Sequence, residues 1–100
     1  MLDILPEDKL IILQILKRHL PVSAQVWVFG SRAKSNAKPY SDLDLAIDLN
    51  GETLSLQLLA NLAFDFEESD LPYKVDIVDW NAIDTTFQAR IRIDCQALDL

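Results

Sequence analysis

The chain has 100 residues, half of them hydrophobic and a quarter charged, a composition typical of one globular domain. Its net charge is −7 and its pI is about 4.4, so it offers no basic surface that could follow a nucleic-acid backbone. These values argue against a template-bound polymerase, and we predict one domain over residues 1–100 with no direct nucleic-acid binding.

Cysteine usage and hydropathy bear on the compartment. Cys95 is the only cysteine, which excludes an internal disulfide and a metal cluster built on cysteine. No secretory signal is recognisable at the N-terminus, and no apolar run approaches the length of a membrane span. We therefore predict a cytoplasmic protein.

The first predicted helix begins at Pro6, where Glu7 and Asp8 suit the positive pole of the helix, and it ends before Pro21. Its apolar stripe is broad and includes Leu10, Ile11, Ile12, Leu13, Ile15, Leu16 and Leu20. A stripe of this width predicts contacts on two sides. A partner protein or a second copy of the chain would equally explain the second contact.

A buried strand is predicted from about Gln25 to Phe29, because the run is rich in β-branched and aromatic residues and stops at a glycine. Gly30 permits positive φ or a close approach of the backbone to a ligand. Ser31 is a preferred helix N-cap, and we expect it to open a short helix reaching about Ser35. Exposed amides and a hydroxyl would meet there, so this turn is a candidate phosphate site.

A loop broken by Pro39 leads into a second predicted strand from Ser41 to Ile47. Asp42 and Asp44 would share one face of it, roughly 6.5–7 Å apart, while the intervening leucines face the core. Neighbouring carboxylates repel each other, and Mg²⁺ would relieve that repulsion because it prefers oxygen ligands and shares its coordination with substrate phosphates. The alternative is a pair of surface aspartates on an edge strand, although strands are depleted in aspartate.

The order Gly30-Ser31-Arg32 and then Ser41-Asp42-x-Asp44 resembles the polymerase β-like nucleotidyltransferase superfamily, and within it the minimal nucleotidyltransferases. This resemblance implies a third carboxylate on a later strand, and the predicted strand from Tyr73 to Trp80 offers it at Asp76. The expected fold class is α/β (α+β), a small mixed β-sheet flanked by helices that forms a nucleotidyltransferase catalytic domain.

Asp76 lies among aliphatic residues, where an ionised carboxylate is costly unless a metal, a cation or a water-filled cleft accompanies it. On a strand beside Asp42 and Asp44 it would complete a carboxylate triad. Two further aspartates are predicted to lie outside the site, Asp48 as a solvated residue at a strand end and Asp79 as a structural residue.

The remaining elements are two helices and an edge strand. Thr53 is the predicted N-cap of a second helix that reaches about Glu68. Asp84 is the predicted N-cap of a last helix, and residues 95–100 are predicted to add a short edge strand.

The constellation predicts transfer of a nucleotide with two Mg²⁺ ions about 3.5–4 Å apart. Asp42 and Asp44 would bridge both ions, and Asp76 would bind the catalytic ion and accept the proton of the attacking hydroxyl. The triphosphate of ATP would be bound by Ser31 and the amides after Gly30. Possible supports are Ser41 and the loop cations Arg32, Lys34 and Lys38.

The acceptor cannot be predicted from spacing. The resemblance implies that it belongs to a helical protein of the HEPN type, encoded nearby and acting as a toxic ribonuclease. The nucleotidyltransferase would then be the antitoxin, moving AMP from ATP to a tyrosine of its toxin. The alternatives are a small-molecule acceptor such as an aminoglycoside and a non-catalytic antitoxin that neutralises its partner by binding alone.

Overall fold

The structure, a computed structural model, describes residues 2–100, in which three α-helices, four β-strands and two short 3₁₀ helices follow one another. The helices are α1 Pro6–His19, α2 Leu56–Glu67 and α3 Thr85–Asp94. The strands are β1 Gln25–Phe29, β2 Leu43–Asp48, β3 Val75–Asp79 and β4 Gln96–Leu98. The 3₁₀ helices are Gly30–Arg32 and Trp80–Ala82.

The four strands form one mixed sheet in the order β3-β2-β1-β4. β1 pairs antiparallel with both β2 and β4, whereas β2 and β3 are parallel. Parallel neighbours need a crossover connection, and α2 supplies it between β2 and β3. The predicted fold class, a small mixed sheet flanked by helices, is confirmed.

The alternation of side chains along β2 gives the sheet two different faces. Leu43, Leu45 and Ile47 are fully buried against α1 and α2, as the sequence pattern predicted. On the opposite face, Ala46 is buried with Trp80 in a smaller cluster that α3 completes. Even-numbered residues of β2 therefore face α3, and this is the face that carries Asp44.

α2 begins later than the sequence predicted. Its N-cap is Ser55, whose hydroxyl accepts a hydrogen bond from the Leu58 amide at 3.0 Å, so the prediction of Thr53 was wrong. The reason lies on β3, since the carboxylate of Asp79 accepts a hydrogen bond from the Leu54 amide at 2.8 Å and holds that residue outside the helix. This contact confirms the structural role predicted for Asp79.

Asp48 is not the solvated residue that the sequence suggested. Its Oδ1 accepts hydrogen bonds from the Gly51 amide at 2.8 Å and from Nδ2 of Asn81 at 2.7 Å. The side chain therefore closes the turn after β2 and joins it to the 3₁₀ helix after β3.

The C-terminal elements follow the prediction closely. The carboxylate of Asp84 caps α3 by accepting a hydrogen bond from the Phe87 amide at 2.8 Å. β4 then pairs with β1 at the edge of the sheet. No helix within residues 2–100 is long and apolar enough to cross a membrane. The single-domain and cytoplasmic assignments stay predictions.

Candidate active site

Three side chains from three neighbouring strands form a row on the α3 face of the sheet. Phe29 on β1 is paired with Asp44 on β2, and Asp44 is paired in turn with Asp76 on β3. Because directly paired residues of neighbouring strands point to the same face, the carboxylates of Asp44 and Asp76 lie side by side. The sheet register thus brings together two of the predicted site residues that are 32 positions apart in the chain.

The electrostatics of Asp44 places the third carboxylate in the same group. Burial raises the pKa of Asp44 above its ordinary value, and the negative charges of Asp76 and Asp42 raise it further. A cation at this position would therefore be stabilised by all three aspartates.

Asp42 lies just outside the strand in which it was predicted. The pairing of β2 begins at Leu43, whose amide donates a hydrogen bond to the carbonyl of Lys74 at 2.8 Å. Asp42 is exposed at the end of the loop, one residue before the strand begins. It joins the site as a loop residue next to the strand.

Gly30 packs directly against the carboxylate of Asp44. Its φ is +74°, a conformation that residues with a side chain rarely adopt, which confirms the predicted positive φ. A Cβ at this position would lie 2.5 Å from Oδ2 of Asp44. Glycine is therefore required twice here, once for the turn and once for the space that the carboxylate occupies.

Ser31 does not cap a helix, which corrects the sequence prediction. It lies inside the 3₁₀ helix Gly30–Arg32, where its carbonyl accepts hydrogen bonds from the amides of Lys34 and Asn36, both at 3.2 Å. Ser35, four residues after Ser31, has a φ of +59° and cannot continue a right-handed helix. The hydroxyl of Ser31 still lies next to Gly30, half-buried at the end of β1.

Arg32, predicted as a possible support for the phosphates, is a structural anchor, and its contact with phosphate stays a prediction. Its side chain is only 5% exposed and its guanidinium lies over the ring of Tyr73, 3.7 Å from the centroid. The guanidinium donates two hydrogen bonds to the backbone carbonyl of Ser41, at 2.7 and 3.0 Å. It donates one more to the backbone carbonyl of Pro39 at 3.2 Å and one to that of Asp3 at 2.9 Å. Arg32 therefore fastens the loop that precedes Asp42.

Ser41 also serves this loop. Its carbonyl accepts from Arg32, and its hydroxyl oxygen accepts a hydrogen bond from the Lys38 amide at 2.9 Å. The Ala37 amide donates to the carboxylate of Asp3 at 3.1 Å, which ties the same loop to the N-terminal segment. These contacts fix the backbone immediately before Asp42 and give Ser41 a positioning role. Its predicted contact with phosphate stays a prediction.

Lys74 is a neighbour of the site that sequence reasoning missed. Its Nζ lies 3.5 Å from Oδ1 of Asp76, with both side chains substantially exposed. The residue stands two positions before Asp76 and so shares its parity along an extended chain, a spacing that could have indicated the contact.

The donor set fits a magnesium ion that is completed by substrate. Within the part of the chain that the structure describes, no three His, Cys, Asp or Glu side chains converge closely enough to hold a metal unaided. Mg²⁺ is ordinarily bound by one or two carboxylates together with substrate phosphates and waters, and it does not need a cage made only of protein ligands. Asp44 and Asp76, with Asp42 beside them, meet that requirement.

Comparison with known proteins identifies the family. Residues 11–98 match the family described as "Polymerase beta, Nucleotidyltransferase". The chain belongs to this family and is a nucleotidyltransferase, which confirms the resemblance that the sequence motifs indicated.

One relative and two solved structures are similar to most of this chain. A Haemophilus influenzae protein named "Probable protein adenylyltransferase MntA" is 45% identical over 91 residues, which cover 91% of this chain and 78% of the relative. A toxin-antitoxin crystal structure with AMP-PNP matches with a TM-score of 0.75 at 22% identity, covering 93% of this chain and 74% of that one. A structure of a tri-AMPylated Shewanella oneidensis HEPN toxin in complex with MNT antitoxin matches with a TM-score of 0.68 at 22% identity, covering 92% and 70%. At these identities the two structures show a shared fold.

Proposed function

We propose that this protein transfers AMP from ATP to a tyrosine hydroxyl of a HEPN-type toxin and is the antitoxin of that pair. The observation that carries the proposal is the pairing of Asp44 with Asp76 on neighbouring strands, with Gly30 packed against Asp44. The 45% identity to the Haemophilus influenzae protein MntA supports it. The site residues of the proposal are Asp42, Asp44 and Asp76 for catalysis, with Gly30 and Ser31 next to the phosphates.

The reaction exchanges the α–β phosphoanhydride bond of ATP for a phosphoester bond to the acceptor. The acceptor oxygen forms a bond to the α-phosphorus of ATP, the bond from that phosphorus to the bridging oxygen breaks, and pyrophosphate leaves. The hydroxyl proton passes to the carboxylate of Asp76, which is 44% exposed and within reach of an acceptor arriving from solvent. When bound, Mg²⁺ lowers the pKa of the attacking hydroxyl and neutralises the leaving group.

Each aspartate has a separate part in this scheme. Asp44 is held in place by Gly30 and by its strand, so it would be the fixed ligand of a bound Mg²⁺ ion. Asp42 is positioned through the loop that Arg32 anchors, and Asp76 faces Asp44 across the parallel pair of strands. The crystal structure with AMP-PNP, which has the same fold, supports an adenine nucleotide as the substrate.

A partner protein is supported by the surface of the helices. Large apolar side chains remain exposed on α1 and α2, namely Leu10 at 63%, Leu56 at 86% and Phe64 at 62%. The AMPylated HEPN toxin of the structural neighbour supports both the kind of partner and the kind of modification. A second copy of this chain would cover the same side chains, so the homodimer stays an alternative.

The test is transfer of label to the partner. The purified protein is incubated with Mg²⁺, α-labelled ATP and the HEPN-type protein encoded beside it, and the labelled residue is located by mass spectrometry. We expect label on a tyrosine with the wild type and none with Asp44→Asn. The matched control is Asp48→Asn, which changes the last aspartate of the same strand, keeps an oxygen for its hydrogen bonds and should leave transfer unchanged.

Two results would overturn the proposal. If Asp44→Asn and the wild type bind and neutralise the toxin equally and neither labels it, the protein is an antitoxin that acts by contact. If label appears on an added aminoglycoside and never on the toxin, the acceptor is a small molecule.

A further inference from the structure

A small cleft of about 130 Å³ lies between the Gly30 turn and α3. Its apolar walls are Phe29, Phe87 and Ile91, and its other lining residues are Gly30, Lys34, Arg90 and Asp94. Pockets that enclose whole drug-sized ligands measure about 300–1,000 Å³, so this cleft is large enough for a small group and too small for a nucleoside.

The cleft borders the row of carboxylates. Phe29 lies in both, since it lines the cleft and is paired with Asp44 across the sheet. The edge of the Phe87 ring meets Phe29 with 6.2 Å between the centroids, and this contact fixes α3 against the end of β1. A ligand bound in the cleft would therefore lie beside Gly30 and close to the carboxylate of Asp44.

The polar residues of the cleft are suited to an anion. Lys34 and Asp94 form an ion pair, with Nζ 3.6 Å from Oδ2, and both side chains are about half exposed. Arg90 lies one helical turn before Asp94 on α3 and makes no ion pair with any residue from 2 to 100. In a chain of net charge −7, two cations at one small cleft are a local exception.

We propose that this cleft receives the pyrophosphate end of the nucleotide, that Arg90 binds it, and that Lys34 exchanges Asp94 for the phosphates. The proposal rests on the nucleotidyl transfer proposed above and adds a residue of α3 to its substrate contacts. A guanidinium matches phosphate oxygens with paired hydrogen bonds, whereas the exposed Lys34–Asp94 pair is weak enough to be exchanged. Asp94 would then oppose anion binding, because it competes for Lys34.

Substitutions of Arg90 and Asp94 on α3 should change the affinity for pyrophosphate in opposite directions. Binding of inorganic pyrophosphate with Mg²⁺ is measured by calorimetry on the purified protein alone. Arg90→Gln should weaken binding about tenfold, the scale of one hydrogen bond to a charged group. Asp94→Asn should tighten it several-fold. The matched control is Arg18→Gln, which removes the same charge from an exposed position on α1, far from α3 in the chain, and should leave binding unchanged.

Thermal unfolding of each variant checks that the fold is retained. The proposal is overturned if the wild type fails to bind pyrophosphate, if Arg90→Gln and Arg18→Gln behave alike, or if Asp94→Asn weakens binding. Because this assay contains no acceptor, it tests phosphate binding in the cleft independently of the proposed partner protein. A protein that binds pyrophosphate through Arg90 and yet labels no toxin would support the cleft and contradict the toxin as acceptor.

Discussion

Replacing Gly30 by alanine tests whether the position of the Asp44 carboxylate controls catalysis. The new methyl group would lie 2.5 Å from Oδ2 of Asp44, and ordinary contact begins near 3.4 Å, so the carboxylate must retreat by roughly 1 Å. A displacement of about 1 Å at a reacting group can cost about 100-fold in rate. We therefore expect Gly30→Ala to lower nucleotidyl transfer by about 100-fold.

The cost in stability is smaller and has a matched control. A left-handed φ costs a residue with a side chain about 1–2 kcal/mol, and moving the Asp44 side chain off its preferred rotamer adds about 0.5–1.5 kcal/mol. Gly51 has a φ of +83°, but a Cβ built there would have nothing within 4 Å. Gly51→Ala should therefore lose only the about 1–2 kcal/mol that the left-handed φ costs, and the variant should keep its activity.

Both variants are compared by urea denaturation and by the transfer assay. A Gly30→Ala protein that is folded and as active as Gly51→Ala would refute the reasoning, because the carboxylate would then have moved without consequence. Equal losses of activity in the two variants would also refute it, since they would trace the loss to stability alone.

Three further predictions concern stability. Because the pKa of Asp44 is raised in the folded protein, the carboxylate ionises first in the unfolded chain, near pH 3.8, and the stability of the fold falls as the pH rises from there through the folded pKa. In metal-free urea titrations, Asp44→Asn should therefore stabilise the protein at pH 7 and not at pH 3. Equal effects at the two pH values would contradict this. Arg32→Lys cannot reproduce the hydrogen bonds to Ser41 and should cost about 1–3 kcal/mol, together with faster exchange of the amides of Ala37, Lys38, Tyr40 and Ser41; unchanged exchange would exclude the anchoring role. Ser55→Ala should cost about 1 kcal/mol through loss of the α2 cap, whereas Thr53→Ala should be nearly neutral.

The sequence predicted those parts of the molecule that depend on local pattern. The parity of Leu43, Leu45 and Ile47 gave the buried face of β2. Asp76, by contrast, was named because the family resemblance implies a third carboxylate on a later strand. The pairing of Asp76 with Asp44 was expected from the family resemblance, and the sheet register bears it out.

The errors came from contacts between distant parts of the chain. Arg32 was predicted only as a possible phosphate support because it lies in the basic loop beside the candidate phosphate site. Its anchoring partners include Asp3 and Tyr73, which spacing cannot connect to it. Ser31 was interpreted as a cap because its residue type favours one. A cap matters only where a helix continues, and the left-handed Ser35 prevents that.

The anchoring of the loop before Asp42 has a consequence for how such an enzyme can diversify. Arg32 holds the loop through carbonyl oxygens of Pro39 and Ser41, which every amino acid possesses. The side chain of Tyr40, between them, is 77% exposed. Substitutions at position 40 can therefore alter the surface of this loop while the backbone that leads to Asp42 keeps its place, so the surface beside the predicted catalytic aspartate can vary without displacing it.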